Sequence, residues 1–122
     1  MEIRDIFLGN DLVEVPRVLS SISKFGERFK DKIYTEHEQK YCESKSKPEL
    51  HYAGRFAAKE AVIKALKSSG FKHSISYRSI DIRPGDDGRP IVFLDLPIDG
   101  TFRVSISHTD NHAIACAIFM VK

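Results

Sequence analysis

Arg55 to Lys64 reads RFAAKEAVIK, and the residues around it continue the same pattern on both sides. Placed at about 100° per residue, the α-helical period, Leu50, Ala53, Ala57, Ala61 and Ala65 share one broad apolar face. Val62 and Leu66 widen that face, while Phe56 and Ile63 cover the other flank. A helix that is apolar nearly all round is a buried one. The pattern predicts a helix from about Glu49 to Ser69, with Gly70 as its C-terminal cap. The charges in this helix are the anomaly. Glu60 and Lys64 fall beside Ala53 and Ala57, inside the apolar surround, and Arg55 and Lys59 lie roughly opposite. As an i,i+4 pair, Glu60 and Lys64 could be an exposed ion pair worth about 0.2–0.5 kcal/mol. Alternatively, Glu60 binds a hard cation through oxygen and Lys64 meets a phosphate. Helix geometry leaves both open.

Upstream, Ile3 to Val15 (IRDIFLGNDLVEV) reads as an extended segment, interrupted at Gly9 by a bulge or a close backbone approach. Pro16 suits the first turn of a helix, and Val18, Leu19, Ile22 and Phe25 keep helical spacing until Gly26. Thr35 and Glu38 form a capping box for a second helix through EQKYCES, and Ser44 to Pro48 is a polar loop. Downstream the period changes from 3.6 to 2. Ile75–Arg83, Ile91–Leu96, Phe102–Ser107 and Ala113–Val121 read as strands separated by PGDDGRP, PIDG and HTDNH. Such short connections predict an antiparallel meander. The expected class is α+β, an antiparallel sheet packed with a long central helix and shorter helices.

Length and composition set limits. The 122 residues suit one domain with one core, 42% of them are hydrophobic and 30% charged, and no repeat or linker is visible. A net charge of +2 does not indicate a nucleic-acid binder. The N-terminus lacks the apolar stretch of a signal peptide, and no apolar run approaches the ~20 residues that span a bilayer. Two cysteines, Cys42 and Cys116, make no disulfide framework and fit free thiols in a reducing cytoplasm.

Three further constellations could carry chemistry. Asp11 sits in an otherwise apolar extended run, either as an edge residue facing water or as a carboxylate aimed at the same cation as Glu60. Mg²⁺ takes few protein carboxylates, so two on separate elements suffice, although spacing alone does not pair them. In Val104-Ser105-Ile106-Ser107-His108, His108 ends a strand, where it could donate to a phosphate or bond the backbone. Ser107 and His108 point to opposite faces, poor geometry for a hydrolase nucleophile and its base. Arg17, Lys24 and Arg28 recur at helical intervals and form either a solvated stripe or a dock for an acidic partner.

Together, GNDLVEVPRV near the N-terminus, the central GRFAAKEAVIKAL and VSISHTDNHAIACAIF near the C-terminus resemble, in order, the motifs of the holo-[acyl-carrier-protein] synthase family of 4′-phosphopantetheinyl transferases. YTEHEQKYC and IDIRPGDDGRPIV also fit, so the resemblance covers nearly the whole chain and implies one transferase domain over residues 1–122. It implies the family's α+β fold and transfer of 4′-phosphopantetheine from coenzyme A to a serine of apo-acyl carrier protein. The product besides the holo-carrier is adenosine 3′,5′-bisphosphate, and the setting is fatty acid biosynthesis in the cytoplasm.

Residue by residue, the resemblance assigns Asp11 and Glu60 to Mg²⁺, and Lys64 to the diphosphate of coenzyme A. Arg55 and His108 match coenzyme A contacts, including its 3′-phosphate. Arg17 and Arg28 match arginines that meet the acidic helix of the carrier protein. It also implies a homotrimer with active sites between subunits, and no nucleic-acid or membrane partner. Glu60 and Lys64 are then the catalytic pair, Glu60 as the candidate base and Lys64 as the stabiliser of phosphate charge. Two departures stand out. Asn10 occupies a position usually apolar or Thr, and KALKSSG stretches the usual KA-x-G ending. The competing class is a non-catalytic nucleotide-binding or interaction module.

Overall fold

In a computed structural model that describes residues 2–122, the fold is built around the predicted long helix. The order is β1 (Asp5–Glu14), α1 (Val15–Phe25), α2 (Glu27–Ile33), α3 (Glu36–Glu43), α4 (Pro48–Ser68), a 3₁₀ turn (Tyr77–Ser79), β2 (Ile80–Pro84), β3 (Pro90–Leu94), β4 (Thr101–His108) and β5 (His112–Val121). The class is α+β and antiparallel, as expected. The strands, however, do not run as one meander. They form a three-stranded sheet ordered β1-β5-β4 and a separate β2-β3 hairpin. The N-terminal strand supplies the reason: β1 pairs with β5 along its whole length, Asp5 opposite Val121 through Glu14 opposite His112. The predicted strand from Ile75 is also shorter, because Tyr77–Ser79 forms a turn before β2 begins. The short helix α2 was not legible in the apolar spacing.

Local signals explain the helix ends. Thr35 accepts from the Glu38 amide and Glu38 accepts from the Thr35 amide, completing the capping box of α3. At the end of α4, the Phe71 amide donates to Leu66 O and the Gly70 amide to Lys67 O. This Schellman closure needs the left-handed backbone that Gly70 adopts at φ 95°. The KALKSSG stretch is thus ordinary helix with a regular stop.

Small residues let α4 lie close on the sheet. Ala57, Ala61 and Ala65 pack with Ala115, Ala117 and Phe119 in one buried cluster. Gly9 of β1 completes the contact: a Cβ there would overlap the Ala61 carbonyl oxygen and come within 2.7 Å of the Ala65 amide nitrogen. Of the two readings of Gly9, close approach is the one realised. A second cluster, including Val15, Val18, Ile33, Tyr34 and Ala53, seats α1 to α3 on the other end of α4.

Among the described residues, the outer face of the three-stranded sheet has no such cover. Ile6, Leu8, Leu12, Ile114 and Ile118 are all exposed there, Leu8 at 65%.

Candidate active site

β1 alternates, so Phe7, Gly9, Asp11 and Val13 turn toward α4 while Leu8, Asn10 and Leu12 turn outward. Asp11 therefore does not face water as an edge residue: its side chain is 16% exposed and meets Lys64 of α4 at 3.0 Å. Lys64 Nζ also donates to the Asn10 carbonyl at 3.0 Å. That contact uses backbone, so the unusual Asn10 side chain does not disturb it. Lys64 is the reverse of the shielded residue expected from the helical wheel, with 51% of its side chain exposed, and its partner is Asp11 rather than Glu60.

Glu60, half-buried on α4, opens with Asp11 into one cleft of about 540 Å³. Arg17, Phe29 and Phe56 help to line it. Tyr77 donates its hydroxyl to Glu60 Oε1. Its ring stacks on Phe56, with centroids 5.8 Å apart. Burial, and then the hydrogen bond to Glu60 and its charge, push the Tyr77 phenol up to about 12. It is a donor, not an ionised partner, at neutral pH.

Two further cations of α4, Arg55 and Lys59, are enclosed. The helical period puts Arg55 and Lys59 roughly opposite Glu60 and Lys64, and there Arg55 is 6% exposed and Lys59 fully buried. The helix is enclosed on that side as well, by α3 and the β2-β3 hairpin. Lys59 Nζ lies 2.7 Å from Glu38 Oε1 and donates to Tyr77 O and Ile80 O at 2.8 and 2.7 Å. All three ammonium protons have acceptors. Burial pushes the Glu38 carboxyl up and the Lys59 ammonium down, and their mutual attraction opposes both shifts.

Arg55 belongs to a separate cluster. Its guanidinium stacks 4.0 Å from the Tyr41 ring centre, and its buried Nε has no hydrogen-bond partner among the described residues. Tyr41 meets His51 edge-on at 5.6 Å between ring centres, and His51 meets His108 at 5.8 Å. Burial, followed by the electrostatic influence of the neighbouring His108, Arg55 and Lys45, depresses the His51 pKa. A half-enclosed guanidinium with an unpaired N–H, set beside two histidines, suits a phosphate. Neither Arg55 nor His108 lines the Asp11–Glu60 cleft.

Arg17 and Arg28 are both exposed, but not on one continuous stripe: Gly26 separates α1, which carries Arg17, from α2, which carries Arg28. Only Arg17 reaches the cleft.

Sequence reading missed Tyr77, Tyr41 and His51. His51 had a signal, since it stands four residues before Arg55 on one helix. Tyr77 had none, because its partner Glu60 is 17 residues away on another element.

The donor set fits a hard divalent cation. Two carboxylates from facing elements open into one cleft, and no cluster of three or more His, Cys, Asp or Glu exists among the described residues. Mg²⁺ characteristically uses one or two carboxylates and leaves its other positions to water and phosphate. No helix among the described residues is long and apolar enough to cross a membrane.

Comparison with known proteins finds relatives along nearly the whole chain. Residues 7–117 match the family model described as the 4′-phosphopantetheinyl transferase superfamily. A holo-[acyl-carrier-protein] synthase of Protochlamydia amoebophila is 40% identical over 117 residues, covering 92% of this chain and 95% of that protein. One from Chlorobaculum tepidum is 42% identical over 113 residues, covering 92% and 96%. Among solved structures, the ACPS–CoA complex of Chronobacterium ammoniagenes superposes with a TM-score of 0.85 at 25% identity, covering 98% of this chain and 99% of that one.

Proposed function

The chain belongs to the 4′-phosphopantetheinyl transferase superfamily, and from that premise we propose how its residues divide the work. It transfers 4′-phosphopantetheine from coenzyme A to a serine of apo-acyl carrier protein in fatty acid biosynthesis. One observation carries the proposed site: Asp11 of β1 and Glu60 of α4 open into a single cleft, with Lys64 held on Asp11.

Asp11 and Glu60 would hold Mg²⁺. Bound there, the ion would offset charge on the diphosphate and polarise the phosphorus under attack. The remaining steps use the chain's own groups. Glu60 accepts the proton of the incoming serine hydroxyl. The serine oxygen bonds to the phosphorus that bears pantetheine, the diphosphate P–O bond breaks, and adenosine 3′,5′-bisphosphate leaves with the electron pair. Lys64, on a half-exposed flexible stem, turns from Asp11 to the phosphate oxygens and stabilises their charge. Phosphoryl transfer needs alignment and charge neutralisation more than a protein nucleophile. The partner supplies the serine.

Arg55 and His108 bind coenzyme A at its 3′-phosphate end, supported by the unpaired Arg55 Nε and the adjoining histidines. Arg17, at the cleft rim, and Arg28, one helix on, receive the acidic carrier protein. Within one chain, the Arg55–His108 cluster and the Asp11–Glu60 cleft are separate. A homotrimer with sites between subunits reconciles them, because one subunit's cluster can face another's cleft. The bare apolar face of the β1-β5-β4 sheet supports assembly. Residues 1–122 act as one transferase domain in the cytoplasm, where Cys42 and Cys116 stay free thiols.

The test mixes the protein with coenzyme A, Mg²⁺ and apo-acyl carrier protein and weighs the carrier by mass spectrometry. The wild type should add one phosphopantetheine, and a chelator should stop the gain. Glu60→Gln should remain folded and lose nearly all transfer at any Mg²⁺ concentration. Turnover close to wild type in that variant would overturn the metal and base assignment.

A further inference from the structure

We infer that Tyr77 is a positioning residue for Glu60, and that the buried Lys59–Glu38 pair is the strut that holds Tyr77 in place. The inference rests on the reading of Glu60 as a metal ligand and adds a residue to it that neither motif nor spacing suggested.

The geometry begins with two consecutive residues of α4. Glu60 turns into the cleft, and Lys59, the next residue back, turns into the core. Lys59 Nζ donates to the carbonyls of Tyr77 and Ile80, the residue that opens the 3₁₀ turn and the residue that follows it. One ammonium group therefore clamps both ends of that turn. Glu38 completes the clamp. Besides pairing with Lys59, it accepts from the Ile82 amide at 2.8 Å and from the Thr35 amide at 2.9 Å, so it joins β2 to the start of α3. The turn is tied elsewhere too: the Ser79 amide donates to Ser76 O, and Ser79 O accepts from the Asp95 amide.

From this fixed base the Tyr77 ring lies along Phe56 and delivers its hydroxyl to Glu60 Oε1. An unrestrained glutamate has three side-chain torsions to fix when it binds a cation, and fixing them costs entropy. A donor on one carboxylate oxygen restrains the group and leaves the other oxygen available as a ligand. Carboxylate ligands are commonly held by such outer hydrogen bonds, whose loss costs about 10–100-fold in metal affinity or activity. Sequence adjacency couples the parts, because any shift of α4 that moved Glu60 would carry Lys59, and hence Tyr77, with it.

Tyr77→Phe removes the hydroxyl and keeps the ring on Phe56. Mn²⁺ binding to the intact protein is measured by the loss of the free-ion electron paramagnetic resonance signal, beside transfer assays over a range of Mn²⁺ concentrations. The variant should keep its thermal midpoint and its KM for acyl carrier protein, bind Mn²⁺ about 10–100-fold more weakly, and recover kcat as Mn²⁺ is raised. Unchanged or tighter Mn²⁺ binding by folded Tyr77→Phe would overturn the inference. Glu60→Gln, measured in parallel, should lose Mn²⁺ binding. If it binds as well as the wild type, or if the wild type binds none, the metal reading of Glu60 has failed, which is a separate result.

Discussion

Lys59 and Glu60 are neighbours in the chain with opposite fates, one sealed in the core and the other opening on the cleft. The cost of sealing Lys59 is met by a fully occupied hydrogen-bond set and by Glu38 at 2.7 Å. Removing one member leaves the other buried and unpaired. Lys59→Met should cost about 3–5 kcal/mol by urea unfolding. The double variant Lys59→Met/Glu38→Gln should recover part of that loss, because no net charge then remains buried. A single-variant cost below about 1 kcal/mol would show that Lys59 is not the strut that holds Tyr77. Asp81 makes a second residue-scale prediction. Burial raises its pKa, but hydrogen bonds from the Thr35 hydroxyl and Arg83, with the Arg83 and His37 charges, outweigh burial and hold the carboxyl below its ordinary value. The unfolded chain thus takes up this proton at higher pH than the folded one does. The stabilisation is complete above the ordinary carboxylate range, near pH ~4, and is lost as pH falls through the depressed folded value. Asp81→Asn should therefore unfold at lower urea than wild type at pH 7, with the gap narrowing as pH falls below ~4. A gap that stayed constant would rule out the charge as its source.

At the scale of elements, the relation of β1 to α4 sets the cleft. Both proposed metal ligands depend on it, since Asp11 rides on the strand and Glu60 on the helix. Gly9 is where the two backbones touch, and no Cβ fits there without moving α4. Gly9→Ala should destabilise the protein by about 1–3 kcal/mol or more, and should weaken Mg²⁺ activation through the displaced carboxylates. Normal metal dependence in a folded Gly9→Ala protein would argue that the strand–helix spacing does not set the site. The sequence flagged Gly9 as either a bulge or a close approach, and only the placement of Ala61 and Ala65 against it decides between them. The capping box at Thr35 and the stop at Gly70 were legible because caps are local hydrogen-bond chemistry. Helix α2 was not, since its seven residues are mostly charged and only Ile33 is buried.

For the whole molecule, the sheet β1-β5-β4 buries one face under α4 and leaves the other bare. Ile6, Leu8 and Leu12 from β1 join Ile114 and Ile118 from β5 in that outer layer. Leu8→Asp should convert the proposed trimer to monomers by light scattering and greatly reduce transfer, with each chain still folded. A wild type that is monomeric at working concentration would remove both the trimer and the shared site.

The sequence by itself determined the long central helix, most of the strands, the caps at Thr35 and Gly70 and the ordered motifs that carry Asp11, Arg55, Glu60, Lys64 and His108. Periodicity, capping and motif order are properties of short stretches, so one chain read in order contains them. RFAAKEAVIK was read correctly as a buried helix. Which of its charges is sealed and which faces the cleft was not, because a helical wheel gives angles without saying what lies at each angle. Only the tertiary structure put Lys59 on Glu38, Lys64 on Asp11 and Tyr77 on Glu60. Each of these pairs joins separate elements, and its distance is set by how closely β1 and the Tyr77 turn pack on α4.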